Sequence, residues 1–304
     1  EIGSGLVGSE MCIRDRNKPA KFWKDLIAYS RTKDTQFLWL AEASESWNEP
    51  VSDYAVFTPF DKLLDAGFDG YYGSYFNVKN WKTGRELVNQ VVTTNANLAK
   101  YPDRKAVIGS FTTHDEMSPL LVNGPKLSLM IMWLNATLPV NSYFVDGFDT
   151  GDNYIYLWAN KKALKTYTDD DYYFVHRGKI DIFNFSRQPG GKSDILLENF
   201  KAANRVKYRF LPIINNGKFV PLKATNPSVF AYAIGYNGKS ILVMGNLNFR
   251  AVAETSVYVP KLDKDTEAIP LKIESIPVAN KGYFQNTLNP GEIQVLLLNN
   301  LEVK

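Results

Sequence analysis

Two acidic residues each follow a short apolar run that is typical of a buried strand. Glu42 stands near the end of FLWLAEA (37–43), and Asp115, with His114 directly before it, follows KAVIGSF (105–111). If both runs are parallel strands of one sheet, their carboxyl ends meet at one edge and the two carboxylates converge. Two carboxylates in one cleft suit glycosidic bond cleavage, in which one delivers a proton and the other stabilises a positively charged sugar ring.

Each of these residues also has a non-catalytic interpretation. A glutamate after a strand is typical of helix capping or ion pairing, and a His-Asp pair is typical of a solvent-exposed turn. The equivalent positions of Glu42 and His114-Asp115 after two strands favour the catalytic interpretation of both. The aromatic residues nearby are suited either to stacking on sugar rings or to the core of the protein: Trp47, Tyr71, Tyr72, Tyr75 and Phe76.

Other polar clusters predict no chemistry of their own. Asp146, Asp149 and Asp152 are spaced by three residues, which does not match the alternating ligands of an EF-hand loop. We therefore expect a solvated turn and no metal site. His176 has no partner nearby in the sequence and is expected to be structural or exposed.

The bulk composition excludes several classes of partner. The net charge is +3 and no block of lysine or arginine stands out, so nucleic acid is not an expected partner. The longest strongly apolar stretch, 127–139, is too short to span a bilayer and predicts a buried helix, so no membrane span is expected. Neither the compartment nor the oligomeric state is fixed by the sequence.

The first 16 residues do not match the rest of the chain. They have no clear periodicity, contain the single cysteine, Cys12, and resemble translated sequencing-adapter sequence. We expect residues 1–16 to be a non-native head, and fold prediction begins at residue 17. Because the body of the chain has no cysteine, it is expected to have no disulfide and no thiol chemistry.

From residue 17 to about 215, helical patterns alternate with short strand patterns, which indicates a parallel sheet. Helix 18–31 is expected to carry Phe22, Leu26 and Tyr29 on one face, and strand 36–43 to be buried on both faces. The other predicted strands are 68–73, 105–111 and 140–146, and the other predicted helices are 53–67, 84–100, 125–138 and 193–212.

The pattern changes after residue 215. The last 89 residues of the chain, 216–304, contain only strand patterns. Asn237-Gly238 lies between two apolar runs and predicts a tight hairpin. We expect a separate antiparallel β-sandwich domain here.

Three segments resemble parts of the α-amylase family of glycoside hydrolases. FLWLAEASES (37–46) resembles the fifth-strand segment of that family's barrel, and GSFTTHDEM (109–117) resembles the seventh-strand segment. YFVDGFDTGDN (143–153) lies where the eighth strand and its loop are expected. The resemblance implies that 17–215 is the second half of a (β/α)8 TIM barrel, strands 5–8, and that 216–304 is the family's C-terminal β domain.

The resemblance also implies site roles. Glu42 would be the general acid/base, Asp115 the transition-state stabiliser and His114 a contact to sugar hydroxyls. Independently of the resemblance, Trp47, one of the aromatic residues near Glu42 in the sequence, is expected to contact the substrate by stacking. The substrate would be an α-linked glucan or oligosaccharide, cleaved with retention. No cofactor is evident, and a structural calcium would belong to the preceding part of the family's barrel.

Two departures from the family pattern leave alternatives open. Thr113 stands where the family usually has asparagine, so transglycosylation, as in branching enzymes, is the alternative to hydrolysis. The family's nucleophilic aspartate, at the end of the fourth strand, has no counterpart in this chain, so we expect the chain alone to be inactive. A non-catalytic carbohydrate-binding protein is the alternative from another functional class.

Overall fold

A computed structural model describes residues 19–44, 60–101, 105–113, 116–145, 147–151, 193–263, 265–274 and 277–304. The expected non-native head lies outside this part of the chain. The chain divides into two compact units. The first comprises the described residues up to Phe76 together with Val91–Ser110 and Val140–Tyr143, and the second comprises Asn77–Gln90, Phe111–Pro139 and the described residues from Phe144 onward.

The first unit contains a four-stranded sheet in which every neighbouring pair of strands is parallel. Its order is β1 (Leu40–Ala41), β2 (Gly70–Tyr72), β3 (Ala106–Gly109) and β4 (Asn141–Ser142). The parallel arrangement predicted from the alternating pattern is confirmed. The strands are shorter than predicted, because only two to four residues of each apolar run form ladder hydrogen bonds.

Seven α-helices are present in the described residues. They are α1 (Ala20–Lys33), α2 (Phe60–Ala66), α3 (Gly84–Leu98), α4 (Pro119–Asn123), α5 (Pro125–Thr137), α6 (Ser193–Arg209) and α7 (Leu211–Asn216). The helix predicted over 193–212 ends earlier than expected, and Pro212 lies in the first turn of α7. Proline is tolerated there because the first turn of a helix has no intrahelical acceptor for its N–H. No described helix has the length and apolarity that a bilayer crossing requires.

The buried face of α1 differs from the predicted one. Trp23 and Ile27 are buried, whereas Phe22 and Tyr29 are 44% and 62% exposed. Trp23 packs edge-on against Trp39, with the ring centroids 6.2 Å apart. The prediction was wrong because several helical faces of this segment carry apolar residues, and aromatic packing selects the one that contains Trp23.

Among the described residues, strand β1 is covered on one face only, so the predicted burial of both faces is wrong in this part of the chain. Leu38 is 71% exposed and Leu40 is 37% exposed, although the intervening Trp39 packs on Trp23 and Phe68. Alternate side chains of a strand point to opposite faces, so the two leucines share the uncovered face. β1 also lies at one end of the described sheet order.

The second unit contains two antiparallel sheets. The five-stranded sheet has the order β5-β6-β7-β12-β9, and the three-stranded sheet has the order β10-β11-β8. The strands are β5 (Lys218–Leu222), β6 (Val229–Tyr236), β7 (Lys239–Asn246), β8 (Ala253–Tyr258), β9 (Glu267–Lys272), β10 (Val278–Asn280), β11 (Tyr283–Leu288) and β12 (Ile293–Asn299). One apolar cluster contains residues of both sheets, including Leu242 and Leu296 of the larger and Val257 and Phe284 of the smaller.

The predicted hairpin is confirmed between β6 and β7. Asn237 and Gly238 have φ values of 49° and 76°, which are the left-handed values that a type I′ turn requires at both central positions. The flanking strands pair over eight residues each, from Val229↔Asn246 to Tyr236↔Lys239.

The N-terminus of α3 is capped by hydrogen bonds within its own first turn and by a backbone carbonyl from the segment that precedes β6. Glu86 accepts hydrogen bonds from the backbone N–H and hydroxyl of Thr83, at 2.8 Å each. A hydrogen bond from the Lys82 N–H, together with these two from Thr83, holds the pKa of Glu86 below its usual value. The Gly84 N–H donates to the Pro227 carbonyl at 2.9 Å. A Cβ at Gly84 would overlap the backbone of Val229, so only glycine allows this approach.

Helices α5 and α6 are joined by polar contacts as well as by apolar packing. The Lys207 Nζ donates to the Asn135 carbonyl at 2.6 Å, which satisfies an oxygen in the last turn of α5. Burial lowers the pKa of Lys207 to about 8. The Thr137 hydroxyl lies 2.7 Å from the Tyr232 hydroxyl on β6, so the end of α5 is also tied to the larger antiparallel sheet.

Candidate active site

The four parallel strands end at one edge of their sheet, and this edge is the candidate active site. Glu42 follows β1, Gly73 follows β2, Ser110 follows β3 and Tyr143 follows β4. All four residues belong to the first unit. In parallel α/β folds the carboxyl ends of the strands are the usual position for catalytic groups, because helices cover the faces and the loops remain free to vary.

Among the residues that the structure describes, Glu42 is the carboxylate that directly follows a strand at this edge. It is the first residue after β1 and is half-buried, between the buried residues Ala41 and Ala43. It is two residues beyond Leu40, so continued strand alternation would direct its side chain to the face that α1 does not cover. The prediction that Glu42 lies at a strand end is confirmed, and its catalytic role stays a prediction.

Two hydrogen bonds join the ends of β2 and β3 directly below the edge. The Ser110 hydroxyl donates to the Gly73 carbonyl at 2.5 Å, and the Gly73 N–H donates to the Ile108 carbonyl at 3.1 Å. Ser110 is fully buried. A Cβ at Gly73 would overlap the ring of Tyr75, so glycine allows this ring to pack against the backbone here. This pair of bonds fixes the point at which the chain leaves β3 toward His114 and Asp115.

The aromatic residues in β2 and directly after it belong mainly to the core. Tyr71 and Tyr75 are 0% and 1% exposed, and Tyr71 packs on Phe60 of α2 with the ring centroids 5.4 Å apart. Stacking on sugar rings, one of the two interpretations of these residues, is therefore excluded for Tyr71 and Tyr75 in this structure. Tyr72 points to the other face and contacts the ring of Tyr143 at 5.5 Å between centroids.

A salt bridge at the opposite, amino-terminal end of the strands sets their register. Arg31 donates to both carboxylate oxygens of Asp69, at 2.7 and 2.8 Å, and the Trp39 N–H donates to the same carboxylate at 2.8 Å. The Asp69 N–H donates to the Trp39 carbonyl, and the Asp69 carbonyl accepts a hydrogen bond from the Ala106 N–H. Asp69 therefore links α1 with the starts of β1, β2 and β3.

The other predicted site residues lie outside the described part of the chain. These are His114, Asp115 and Trp47, together with Asp146 and Asp152 of the aspartate cluster and His176. The convergence of Glu42 and Asp115 therefore stays a prediction. Within the described residues, no group of three histidine, cysteine or acidic side chains is arranged to hold a metal ion.

The described residues on either side of His114-Asp115 are anchored within the second unit. The Glu116 N–H donates to the Thr113 carbonyl at 3.2 Å. The Glu116 carboxylate forms an ion pair with Lys79, which ends the short 3-10 helix Ser74–Lys79. Both flanks of the predicted motif thus have defined partners.

Sequence reasoning missed the residues that support the edge. Ser110, Gly73 and Asp69 carry the hydrogen bonds just described, and Thr112 has a buried hydroxyl without a hydrogen-bond partner among the described residues. A glycine or serine directly after a strand run was the available signal. Their partners are remote in sequence, so the pairing itself could not be predicted.

Comparison with known proteins identifies the fold. No protein-family model matches the chain, and no curated protein sequence matches it. Among solved structures, the α-amylase of Anoxybacillus superposes with a TM-score of 0.63 at 13% identity, over 94% of this chain and 57% of that one. The α-amylase of Geobacillus thermoleovorans in complex with acarbose gives 0.60 at 15% identity, over 92% and 57%. AmyP in complex with maltose gives 0.61 at 13% identity, over 92% and 61%.

These structures confirm the resemblance to α-amylases at the level of fold. The chain spans little more than half the length of the first two enzymes. It has an α-amylase-like fold that combines a parallel sheet with antiparallel sheets.

Proposed function

We propose that this chain is part of an α-glucan glycosidase of the α-amylase family, forming strands 5–8 of a catalytic (β/α)8 barrel and the β-sandwich domain that follows. The observation that carries the proposal is Glu42, a half-buried carboxylate directly after the first strand of a parallel sheet whose fold matches α-amylases. The sugar complexes of two similar structures, with acarbose and with maltose, support an oligosaccharide substrate.

The uncovered face of β1 supports the completion of the barrel by another segment. Leu38 and Leu40 expose apolar surface next to a strand edge, and such an edge is normally covered or paired. The remaining strands of the barrel would cover this face and would bring the nucleophilic aspartate of the fourth strand beside Glu42. The chain alone would then be inactive, because it lacks that nucleophile.

The proposed reaction is a double displacement with retention of configuration. Glu42 donates its proton to the glycosidic oxygen while the nucleophile attacks the anomeric carbon, so the C–O bond breaks as a glycosyl ester forms. Glu42, now a carboxylate, takes a proton from water, and the hydroxide oxygen displaces the nucleophile. Asp115 would stabilise the positively charged ring, His114 would bind hydroxyls of the same sugar, and Trp47 would contact the substrate.

Transfer to a sugar hydroxyl in place of water is the second candidate function. Thr113, which stands where the resemblance leads us to expect asparagine, is the observation that favours it. Both reactions share the glycosyl intermediate, and they differ only in the acceptor that Glu42 deprotonates. Product analysis separates them, because transfer yields chains longer than the substrate.

The test uses the larger enzyme that contains this chain. In Glu42→Gln the side chain keeps its shape and loses its transferable proton, so kcat on maltoheptaose should fall by about 10²–10⁴-fold while binding of the substrate persists. Glu198→Gln, at an exposed position on α6, is the matched control and should retain full activity. Near-normal turnover of Glu42→Gln would refute the assignment, and a larger enzyme without any turnover would favour the carbohydrate-binding alternative.

A further inference from the structure

Three asparagine–glycine pairs occur in the sequence, at Asn123-Gly124, Asn216-Gly217 and Asn237-Gly238. In such a pair the glycine nitrogen can attack the side-chain amide carbon of the asparagine, because glycine has no Cβ to obstruct the approach. The attack forms a cyclic succinimide, which opens to aspartate or isoaspartate. The nitrogen must lose its proton as it attacks, so the hydrogen-bond partner of the glycine N–H influences which pair reacts.

Two of the three glycine N–H groups are bonded to backbone carbonyls at helix ends. The Gly124 N–H donates to the Leu120 carbonyl at 3.1 Å, directly after α4. The Gly217 N–H donates to the Ile213 carbonyl at 2.8 Å, directly after α7. A backbone carbonyl is not a base at neutral pH, so neither partner can take up the proton.

The third glycine N–H is bonded to a carboxylate. The Gly238 N–H donates to Oε2 of Glu302 at 2.9 Å. This bond holds the pKa of Glu302 below its usual value, so the side chain is charged at neutral pH. A general base must lie within hydrogen-bond reach of the proton that it takes, about 2.6–3.2 Å between heavy atoms, and Glu302 meets this requirement.

The position of Glu302 is fixed by the residues on either side of it. The Ser240 hydroxyl donates to the Leu301 carbonyl at 2.8 Å and accepts from the Val303 N–H at 2.9 Å. Leu301, Val303 and Ser240 are all buried. The last residues of the chain therefore lie beside β7, and they keep the Glu302 carboxylate at the turn that joins β6 to β7.

The turn leaves the Asn237 side chain room to react. Asn237 is exposed, and among the described residues its amide group has no hydrogen-bond partner. A Cβ built at Gly238 would meet no atom within 4 Å, so the space beside the glycine is open. Water can reach the turn and complete the reaction.

We propose that Asn237 is a site of spontaneous deamidation in which Glu302 is the base. Glu302 takes the proton of the Gly238 N–H as the nitrogen bonds to the Asn237 side-chain carbon, and this proton then leaves with the amide nitrogen as ammonia. Water adds to one carbonyl of the succinimide and opens the ring. The product carboxylate lies beside that of Glu302, and the like charges weaken the contact between the turn and the end of the chain. The inference does not depend on the proposed function.

The test incubates the folded 304-residue chain at neutral pH for several weeks and follows deamidation by peptide mapping and mass spectrometry. Asn237 should convert several-fold faster than Asn123 and Asn216. In Glu302→Gln the glutamine oxygen accepts the same hydrogen bond but is not a base, so conversion of Asn237 should slow several-fold. This is less than the about 100-fold of a well-matched base, because Glu302 is a weak one.

Glu254→Gln is the matched control, because it removes an exposed carboxylate from β8, and it should leave the rate at Asn237 unchanged. In concentrated urea the contact between Gly238 and Glu302 is lost, so Glu302→Gln should then have no effect. Equal rates at the three asparagines of the folded chain would overturn the proposal. An unchanged or faster rate at Asn237 in folded Glu302→Gln, or equal slowing by Glu254→Gln, would also overturn it.

Discussion

The Ser110 hydroxyl donates to the Gly73 carbonyl at 2.5 Å, which joins the carboxyl ends of β2 and β3 beneath the candidate active site. The bond is buried, so neither atom has water as an alternative partner. The geometry of the edge therefore depends on a buried side chain directly after β3.

Removal of this hydroxyl should destabilise the first unit. In Ser110→Ala the Gly73 carbonyl loses a buried donor, and we expect a loss of about 1–3 kcal/mol in unfolding free energy, measured by urea denaturation. Thr93→Ala removes a hydroxyl from an exposed position on α3 and should change the stability by less than about 0.5 kcal/mol. Equal midpoints for the two variants would contradict a role for the Ser110 bond.

The salt bridge between Arg31 and Asp69, at the amino-terminal end of the strands, should also contribute measurably to the free energy of unfolding. Asp69→Asn removes the charge that Arg31 binds through two hydrogen bonds, and the expected loss is about 1–2 kcal/mol. Asp25→Asn is the control, since its pair with Lys21 is exposed and should be worth less than about 1 kcal/mol. In the background of Arg31→Met, the effect of Asp69→Asn should shrink; an undiminished effect would show that the Trp39 contact alone matters.

Asp115 should act mainly in the transition state. In the larger enzyme, Asp115→Asn should lower kcat by a greater factor than it raises KM, because the carboxylate charge is needed most when the sugar ring becomes positive. A crystal structure of that enzyme should place the carboxyl groups of Glu42 and Asp115 within about 5–10 Å of each other. Carboxyl groups on opposite sides of the sheet would exclude a shared site.

Lys207 should make the stability depend on pH in the alkaline range. Its pKa of about 8 in the folded chain lies below the ordinary value of 10.5. Between these values the unfolded chain binds more protons, so the contribution of Lys207 to stability rises with pH, by about 1–3 kcal/mol over the window. Below pH 8 the cost of burying the charge is constant.

The measurement compares the wild type with Lys207→Met, which lacks this titration. The wild type should gain stability relative to the variant as the pH rises from 8 to 10.5. Lys201→Met, which removes an exposed lysine from the same helix, should show a constant difference from the wild type. A constant difference for Lys207→Met as well would show that Lys207 is not desolvated.

Local sequence patterns predicted the helices, strands and turns of this protein well, and they predicted poorly which residues of different elements contact each other. The Asn237-Gly238 hairpin and the parallel order of the sheet followed from turn chemistry and from the alternation of helix and strand patterns. The buried face of α1 did not, because the choice between Phe22 and Trp23 depends on the rings of Trp39 and Phe68 from other elements.

The candidate site shows the same division. Glu42 was found because a carboxylate ends a continuous apolar run, which is a local signal. The support from Ser110 and Asp69 depends on partners 37 and 38 residues away, Gly73 and Arg31, and no local pattern encodes such pairs. The two-sided burial predicted for β1 was wrong because an apolar run does not specify how many layers cover it.

The contact between Gly84 and Pro227 has a consequence for the order of events during synthesis. The acceptor for the Gly84 N–H is encoded 143 residues later, so the ribosome makes the start of α3 long before its final cap exists. At about 5–20 residues per second, this delay is about 7–30 s. During that interval the Thr83–Glu86 bonds are the local means of holding the helix start. The nascent chain completes this end of α3 only after β5 and the residues up to Pro227 have been translated.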